Sequence, residues 1–161
     1  MKVLVLMLLT FPTLLNAHGG KTHSKNEVEP IKRSDALVEV YKSINADYEA
    51  KIEPIFQAKC FDCHSANSKY PWYYQIPGVN LVINSHIKEA RGHIDMTEGF
   101  PFKGHLSPIE DLKELKLIIE RGAMPPWYYK SFHKNSEIKP QEKMTILNWI
   151  KESLVKLEEK K

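Results

Sequence analysis

The residues with the clearest chemical meaning are Cys60-Phe61-Asp62-Cys63-His64, which form a Cys-x-x-Cys-His motif. This motif is typical of covalent c-type haem attachment. Two thiols three residues apart on one helical turn can each form a thioether with a haem vinyl group. The histidine after the second thiol then lies beneath the iron, where an imidazole nitrogen can coordinate the metal. The motif therefore predicts one haem c bound through Cys60 and Cys63, with His64 as an iron ligand.

Three other interpretations of the two cysteines are open. A redox disulfide would require a thioredoxin-like βαβ unit, and no strand pattern is visible. A zinc site would need two further ligands, but no histidine pair follows at finger spacing, since His86 and His93 are seven residues apart. A structural disulfide that closes so small a loop contributes little stability. Haem attachment is favoured, because these two are the chain's only cysteines.

A second iron ligand is predicted at Met124, which follows the helix-ending Gly122 and precedes Pro125-Pro126. Consecutive prolines fix φ and remove two backbone donors, which gives a stiff, extended loop. A thioether is a neutral, soft ligand that favours ferrous iron and raises the reduction potential. The alternative is that Met124 fills a gap in the core, as most methionines do.

Other side chains compete for this position. Met96 is the rival sulfur, and a bis-imidazole iron would use one of His86, His93, His105 and His133. An open sixth site would instead indicate gas sensing or peroxidase-like chemistry, although no acid–base set accompanies it. For the haem propionates we expect Trp72 and Arg91 as donors, because indole and guanidinium groups suit carboxylates at a half-buried edge.

Composition excludes several classes of protein. A chain of 161 residues corresponds to about one domain, and 42% apolar with 27% charged residues is an ordinary globular balance. A net charge of +3 is too small to indicate a nucleic-acid groove or a polybasic membrane patch. Two cysteines exclude a disulfide-dense scaffold and a four-cysteine metal cage.

The first segment has the pattern of a secretory signal peptide over residues 1–17. Lys2 is followed by an apolar run that is too short to span a bilayer comfortably, and Ala17 is a small residue before a polar tract. We expect a flexible leader over residues 18–33 and a haem-binding domain over residues 34–161. These features predict an exported, periplasmic protein with no stable membrane insertion after cleavage.

Apolar residues recur at three- and four-residue spacing in four segments, which predicts four helices and no sheet. The first is capped by Ser34 or Asp35, and a further turn opens at Pro54. The second covers residues 79–91 and ends at Gly92. Their expected buried positions are Leu37, Val40, Tyr41, Ile44, Tyr48 and Ile52 in the first, and Val79, Val82, Ile83, Ile87 and Ala90 in the second.

The third predicted helix has the clearest boundaries. Ser107 is its N-cap, Pro108 is its first residue, Glu110 completes a capping box and Gly122 ends it. The fourth begins at Pro140. Their expected buried positions are Leu112, Leu115, Ile118 and Ile119, and then Met144, Leu147, Ile150, Leu154 and Leu157, with Trp149 on the flank.

Two Pro-Trp-Tyr-Tyr segments, residues 71–74 and 126–129, lie between the predicted helices. They concentrate rigid aromatic area in long loops, which either close the ends of a helical core or pack on a flat apolar ligand. The sequence thus predicts an all-α, cytochrome c-like helical domain wrapped around one covalently attached haem, with long aromatic-rich loops.

The chain resembles the bacterial haem-binding-domain family of small monohaem c-type cytochromes over residues 52–151. The resemblance is carried by Cys60-Phe61-Asp62-Cys63-His64-Ser65, Tyr70-Pro71-Trp72-Tyr73, Arg91-Gly92-His93, Met124-Pro125-Pro126-Trp127-Tyr128 with His133, and Asn148-Trp149-Ile150. It implies a haem c domain in which His64 is the proximal ligand and Met124 the distal one.

These observations together predict an electron carrier rather than an enzyme. Its iron would alternate between ferric and ferrous forms, and single electrons would pass between redox partner proteins. The alternative is a haem protein whose open or displaceable sixth site serves gas sensing or peroxidase-like chemistry.

Overall fold

The computed structural model describes residues 35–159, which form the predicted all-α fold. The signal peptide and leader predicted for residues 1–33 lie outside the described residues, as does the cap residue Ser34. The helices are α1 (Asp35–Lys51), α2 (Glu53–Lys59), α3 (Phe61–His64), α4 (Val79–His93), α5 (Pro108–Arg121), α6 (Trp127–Phe132) and α7 (Pro140–Glu158). Within the described range, none of them has the length and hydropathy of a membrane span.

Two short elements were not expected from the sequence. Strands β1 (Ile94–Asp95) and β2 (Lys103–Gly104) pair in antiparallel register, with Ile94 opposite Gly104. The two aromatic segments also begin helical turns, since Trp72–Gln75 is a 3₁₀ turn and Trp127 opens α6. The aromatic residues therefore lie on short helical elements within the predicted loops.

The core is built around Tyr48, which is fully buried in α1. Its ring contacts Phe56, Phe102 and Trp149 at centroid distances of 5.9, 5.4 and 5.7 Å. Aromatic pairs at these separations stabilise a core beyond the area that they bury. The indole N–H of Trp149 also donates to the carbonyl of Ile44 at 3.4 Å. These contacts join α1, α2 and α7 in one core.

The predicted boundaries of α5 are confirmed. The Ser107 hydroxyl accepts a hydrogen bond from the Glu110 amide, and the Glu110 carboxylate accepts one from the Ser107 amide at 3.0 Å. At the other end Gly122 has φ +64°, a left-handed conformation that glycine adopts without steric cost. The buried residues include Leu112, Leu115 and Ile119 as predicted, and Ile118 is half-buried.

The predicted buried face of α7 is wrong in part. Trp149 lies in the core rather than on the flank, and Met144 is exposed. The physical reason is that α7 packs against both α1 and α5, so its inward face is centred on the row that contains Trp149. That row consists of Ile146, Trp149, Ile150, Ser153 and Leu157. Leu147 and Leu154 are half-buried at its edge.

The second predicted helix also differs from α4. Gly92 does not end it, because the helix continues to His93. None of its residues is fully buried, and Val82, which was expected to face inward, is exposed. The reason is that α4 packs chiefly against α3, the 3₁₀ turn and the β1–β2 pair, outside the core around Tyr48. Its apolar face therefore lies beside the Cys-x-x-Cys-His motif.

Candidate functional site

The Cys-x-x-Cys-His motif forms a single helical turn at the junction of α2 and α3. The Cys60 amide donates to the carbonyl of Phe56 at 2.7 Å, and the amides of Cys63 and His64 both donate to the carbonyl of Cys60, at 3.1 and 2.9 Å. Both thiols are free and half-buried. The sequence prediction that the two thiols and the histidine share one turn is therefore confirmed by the backbone geometry.

Both thiols favour the protonated form. Burial, with a smaller effect of the neighbouring Cys63, raises the pKa of Cys60 to about 12. Burial and the Asp62 carboxylate raise the pKa of Cys63. Redox-active Cys-x-x-Cys sites need the opposite shift, because the thiolate is the nucleophile in disulfide exchange. The surroundings of these cysteines thus disfavour the redox-disulfide interpretation.

The imidazole of His64 is held by a hydrogen bond from one of its ring nitrogens. Nδ1 donates to the carbonyl of Ile94 at 3.0 Å, so the neutral ring carries its lone pair on Nε2. Burial lowers the pKa of His64, which keeps the ring neutral at physiological pH. A histidine that ligates a metal commonly donates its second ring N–H to a carbonyl in this way.

Met124 lies two residues after Gly122, in the connection between α5 and α6. Its side chain is 38% exposed. It lines a cavity of about 200 Å³ together with residues that include Ile119, Pro125 and Ile138. The Met124 thioether is therefore outside the core cluster, and the interpretation of Met124 as a core gap-filler is not supported by its exposure.

The rival ligands occupy different environments. Met96 is 2% exposed and belongs to the core. The ring of His86 contacts that of Tyr128, and the rings of His93 and His105 contact each other at 5.1 Å. Met96 is thus shielded by the core, whereas these three histidine rings lie at exposed positions.

The two residues expected to bind propionates are placed as follows. Trp72 begins the 3₁₀ turn and is 81% exposed. Arg91 lies in the last turn of α4, where its Nε and Nη2 donate to the Asp95 carboxylate at 2.9 and 2.7 Å. The guanidinium of Arg91 is therefore already engaged with a carboxylate of the chain itself.

A polar network that the sequence analysis did not assign links the motif to α6. The Tyr129 hydroxyl donates to Oδ2 of Asp62 at 2.7 Å, and the Tyr129 ring stacks on His133 at 3.8 Å. The Nδ1 of His133 contacts the Tyr129 carbonyl, and its Nε2 contacts the Tyr73 hydroxyl. The sequence features that could have indicated this network are a tyrosine in each aromatic segment and an aspartate inside the motif.

Large apolar side chains are exposed on the 3₁₀ turn, α4 and α6, the three elements next to the motif. Trp72, Trp127 and Phe132 are 81%, 76% and 75% exposed. The elements contact one another through the ring pairs Tyr73–Phe132 and His86–Tyr128. So much apolar surface contributed by neighbouring elements marks a binding site. Leu81 and Val82 of α4 and Tyr128 of α6 belong to the same set, and the adjoining connections expose Tyr70, Ile76 and Met124.

The zinc interpretation finds no ligand set in the part of the chain that the structure describes. Across residues 35–159, no three His, Cys, Asp or Glu side chains are grouped so that they could hold a metal ion. Zinc sites of the structural type need four such ligands in a tetrahedral arrangement.

Comparison with protein families places most of the chain in a known family. A family model described as "Haem-binding domain" matches residues 22–152, which is most of the chain. The search of curated proteins and the search of solved structures each return no match.

Proposed function

The chain belongs to the haem-binding domain family, and from that premise we propose that it is an exported monohaem c-type cytochrome that passes single electrons between protein partners. The observation that carries the proposal is the arrangement of the motif. Two free thiols and an imidazole held through Nδ1 occupy one helical turn. These are the groups that thioether attachment and axial ligation require.

The residues present fit a covalently held haem. Cys60 and Cys63 would each donate a sulfur to a thioether with one vinyl group, and the exposed apolar side chains of the 3₁₀ turn, α4 and α6 would pack on the porphyrin faces. Burial of such aromatic area excludes water from the iron and favours its less charged, ferrous form. In the bound state the haem supplies reversible one-electron chemistry at iron.

His64 and Met124 are the side chains that would hold the haem iron. The hydrogen bond from Nδ1 to Ile94 orients the His64 ring and increases the basicity of Nε2. Met124 is on the α5–α6 connection, and α6 is attached to the motif through Tyr129 and Asp62. The roles of Trp72 and Arg91 as donors to propionates stay predictions.

Electron transfer is the proposed activity, and no substrate is transformed at the protein. Export to the periplasm is part of the proposal, because the N-terminal segment has the signal-peptide pattern and thioether attachment in bacteria occurs outside the cytoplasm.

The direct test is expression in a host competent for cytochrome maturation, followed by mass spectrometry and an absorption spectrum of the reduced pyridine haemochrome. We expect one haem mass on the chain after denaturation and a c-type spectrum. The Cys60→Ala, Cys63→Ala double variant should carry no covalent haem. A wild-type chain without bound haem would overturn the proposal.

A second measurement separates electron transfer from ligand chemistry. If Met124 occupies the sixth position, the reduced native protein should not bind carbon monoxide until it is denatured. Rapid carbon monoxide binding to the native protein would instead favour gas sensing or peroxidase-like chemistry at an open site.

A further inference from the structure

The chain at and just after β1 holds the end of the motif by three hydrogen bonds. In addition to the bond from His64 Nδ1 to Ile94, the Met96 amide donates to the His64 carbonyl at 2.7 Å, and the Ala66 amide donates to the Thr97 hydroxyl oxygen at 2.9 Å. The ring of His64 and the backbone on its C-terminal side are thus attached to the same short segment. These bonds limit the movement of the imidazole relative to the motif.

Asp95 connects that segment to α4. Its Oδ1 accepts hydrogen bonds from the amide of Thr97, at 3.0 Å, and from the Thr97 hydroxyl. Its Oδ2 accepts from Nε and Nη2 of Arg91. The Thr97 hydroxyl has only one proton, so donating it to Asp95 leaves the oxygen lone pairs for the Ala66 amide. Asp95 therefore makes the Thr97 hydroxyl the acceptor in its hydrogen bond with the Ala66 amide.

The carboxylate of Asp95 is ionised and shielded from solvent. Its side chain is 15% exposed. Burial raises its pKa, but the hydrogen bonds from Thr97 and Arg91 lower the pKa by more, and the net shift is downward. The negative charge also acts on the His64 ring, where it opposes part of the effect of burial on the pKa of His64.

We propose that Asp95 is a positioning residue: it holds the segment whose Ile94 carbonyl orients the His64 ring, and its charge lowers the reduction potential of the iron that His64 would hold. This inference rests on the proposed haem c function. The ring N–H of His64 bonds the Ile94 carbonyl and not Asp95, so the carboxylate acts on the ring through the placement of this segment and through its charge. A nearby negative charge stabilises ferric iron over ferrous iron, so Asp95 lowers the reduction potential of the wild-type protein.

The test uses the haem-loaded protein and pairs of matched variants. Thr97→Val removes the hydroxyl and keeps the shape, whereas Thr97→Ser keeps the hydroxyl. Asp95→Asn removes the charge and keeps one acceptor oxygen. Glu98→Gln is the charge control, because Glu98 is exposed and its carboxylate pairs with the exposed Lys103 of β2. The readouts are the reduction potential, the ferric electron paramagnetic resonance g-values, and the exchange protection of the Ala66 and Met96 amides in the ferrous protein.

We expect Asp95→Asn to raise the reduction potential and Thr97→Val to change the g-values and reduce Ala66 amide protection. Thr97→Ser should restore both properties, and Glu98→Gln should leave all three readouts at the wild-type values. Wild-type potential and g-values in both Asp95→Asn and Thr97→Val would overturn the inference while leaving the haem c function intact. If Thr97→Val does not fold, Asp95→Asn and Thr97→Ser decide the outcome. Loss of haem from the wild-type chain would contradict the proposed function instead.

Discussion

The hydroxyl of Tyr129 donates a 2.7 Å hydrogen bond to Oδ2 of Asp62, which lies between the two cysteines of the motif. Burial, and then the bond to Asp62, raise the pKa of Tyr129, so the phenol keeps its proton and remains a donor. The other oxygen of Asp62 accepts a hydrogen bond from the Lys69 amide at 3.1 Å. Asp62 thus attaches both α6 and the chain that follows α3 to the motif.

Removing this hydroxyl should loosen α6. We expect Tyr129→Phe to lower the free energy of unfolding by about 1–3 kcal/mol, because a hydrogen bond to a charged acceptor is lost in a half-buried position. It should also increase the fraction of reduced protein that binds carbon monoxide, since α6 follows the Met124 connection. Urea denaturation and carbon monoxide titration measure the two effects. Tyr128→Phe, on the same helix, is the matched control and should change neither.

Substitution of His64 should separate attachment from ligation. In His64→Ala we expect the covalent haem mass to remain, because the two thioethers do not involve the imidazole, and the iron to become high-spin. Added imidazole should restore a low-spin absorption spectrum by binding in the space left by the ring. His86→Ala, at an exposed position in α4, should keep the wild-type spectrum. A low-spin His64→Ala protein without added imidazole would contradict the assignment.

Substitution of Met124 should change the reduction potential of the haem iron. We expect Met124→Ala to lower the reduction potential and to abolish the near-infrared sulfur-to-iron charge-transfer band, because the soft thioether no longer stabilises ferrous iron. Redox titration and the ferric spectrum measure these effects. Met144→Ala is the matched control, since Met144 is an exposed methionine on α7. A band that persists in Met124→Ala would transfer the assignment to Met96.

Asp111 should make stability depend on pH. It is buried in the first turns of α5, no donor among the described residues reaches its Oδ2, and burial raises its pKa to about 6. A carboxyl whose pKa is higher in the folded than in the unfolded chain stabilises the fold below the unfolded pKa, and the contribution is lost as the pH rises towards 6. We therefore expect Asp111→Asn to be more stable than the wild type at pH 7, by about 3 kcal/mol at most.

Urea denaturation between pH 4 and pH 7 tests this expectation. The difference in unfolding free energy between Asp111→Asn and the wild type should shrink as the pH falls. Glu114→Gln is the control, because Glu114 is an exposed carboxylate on the same helix. A constant difference across this pH range would mean that Asp111 does not titrate with the raised pKa.

The fold class followed from patterns that are local in the chain. The capping box at Ser107 and the left-handed Gly122 were predictable, because each depends on residues within one helical turn. The inward face of α7 was not, since it depends on packing against two other helices. Met144 was therefore expected to be buried and is exposed, whereas Trp149 was expected on the flank and lies in the core.

The candidate site likewise has one part that local sequence predicts and another that depends on how the helices pack. The sequence alone determined the helical turn of Cys60, Cys63 and His64, because their spacing and the backbone hydrogen bonds of one turn suffice. The tertiary structure decided which groups act on that turn. Ile94 is 30 residues from His64 along the chain, and Tyr129 is 67 residues from Asp62. Asp95 reaches the motif through Thr97, which is 31 residues from Ala66. Contacts between distant residues depend on how the helices pack, and no local spacing encodes that packing.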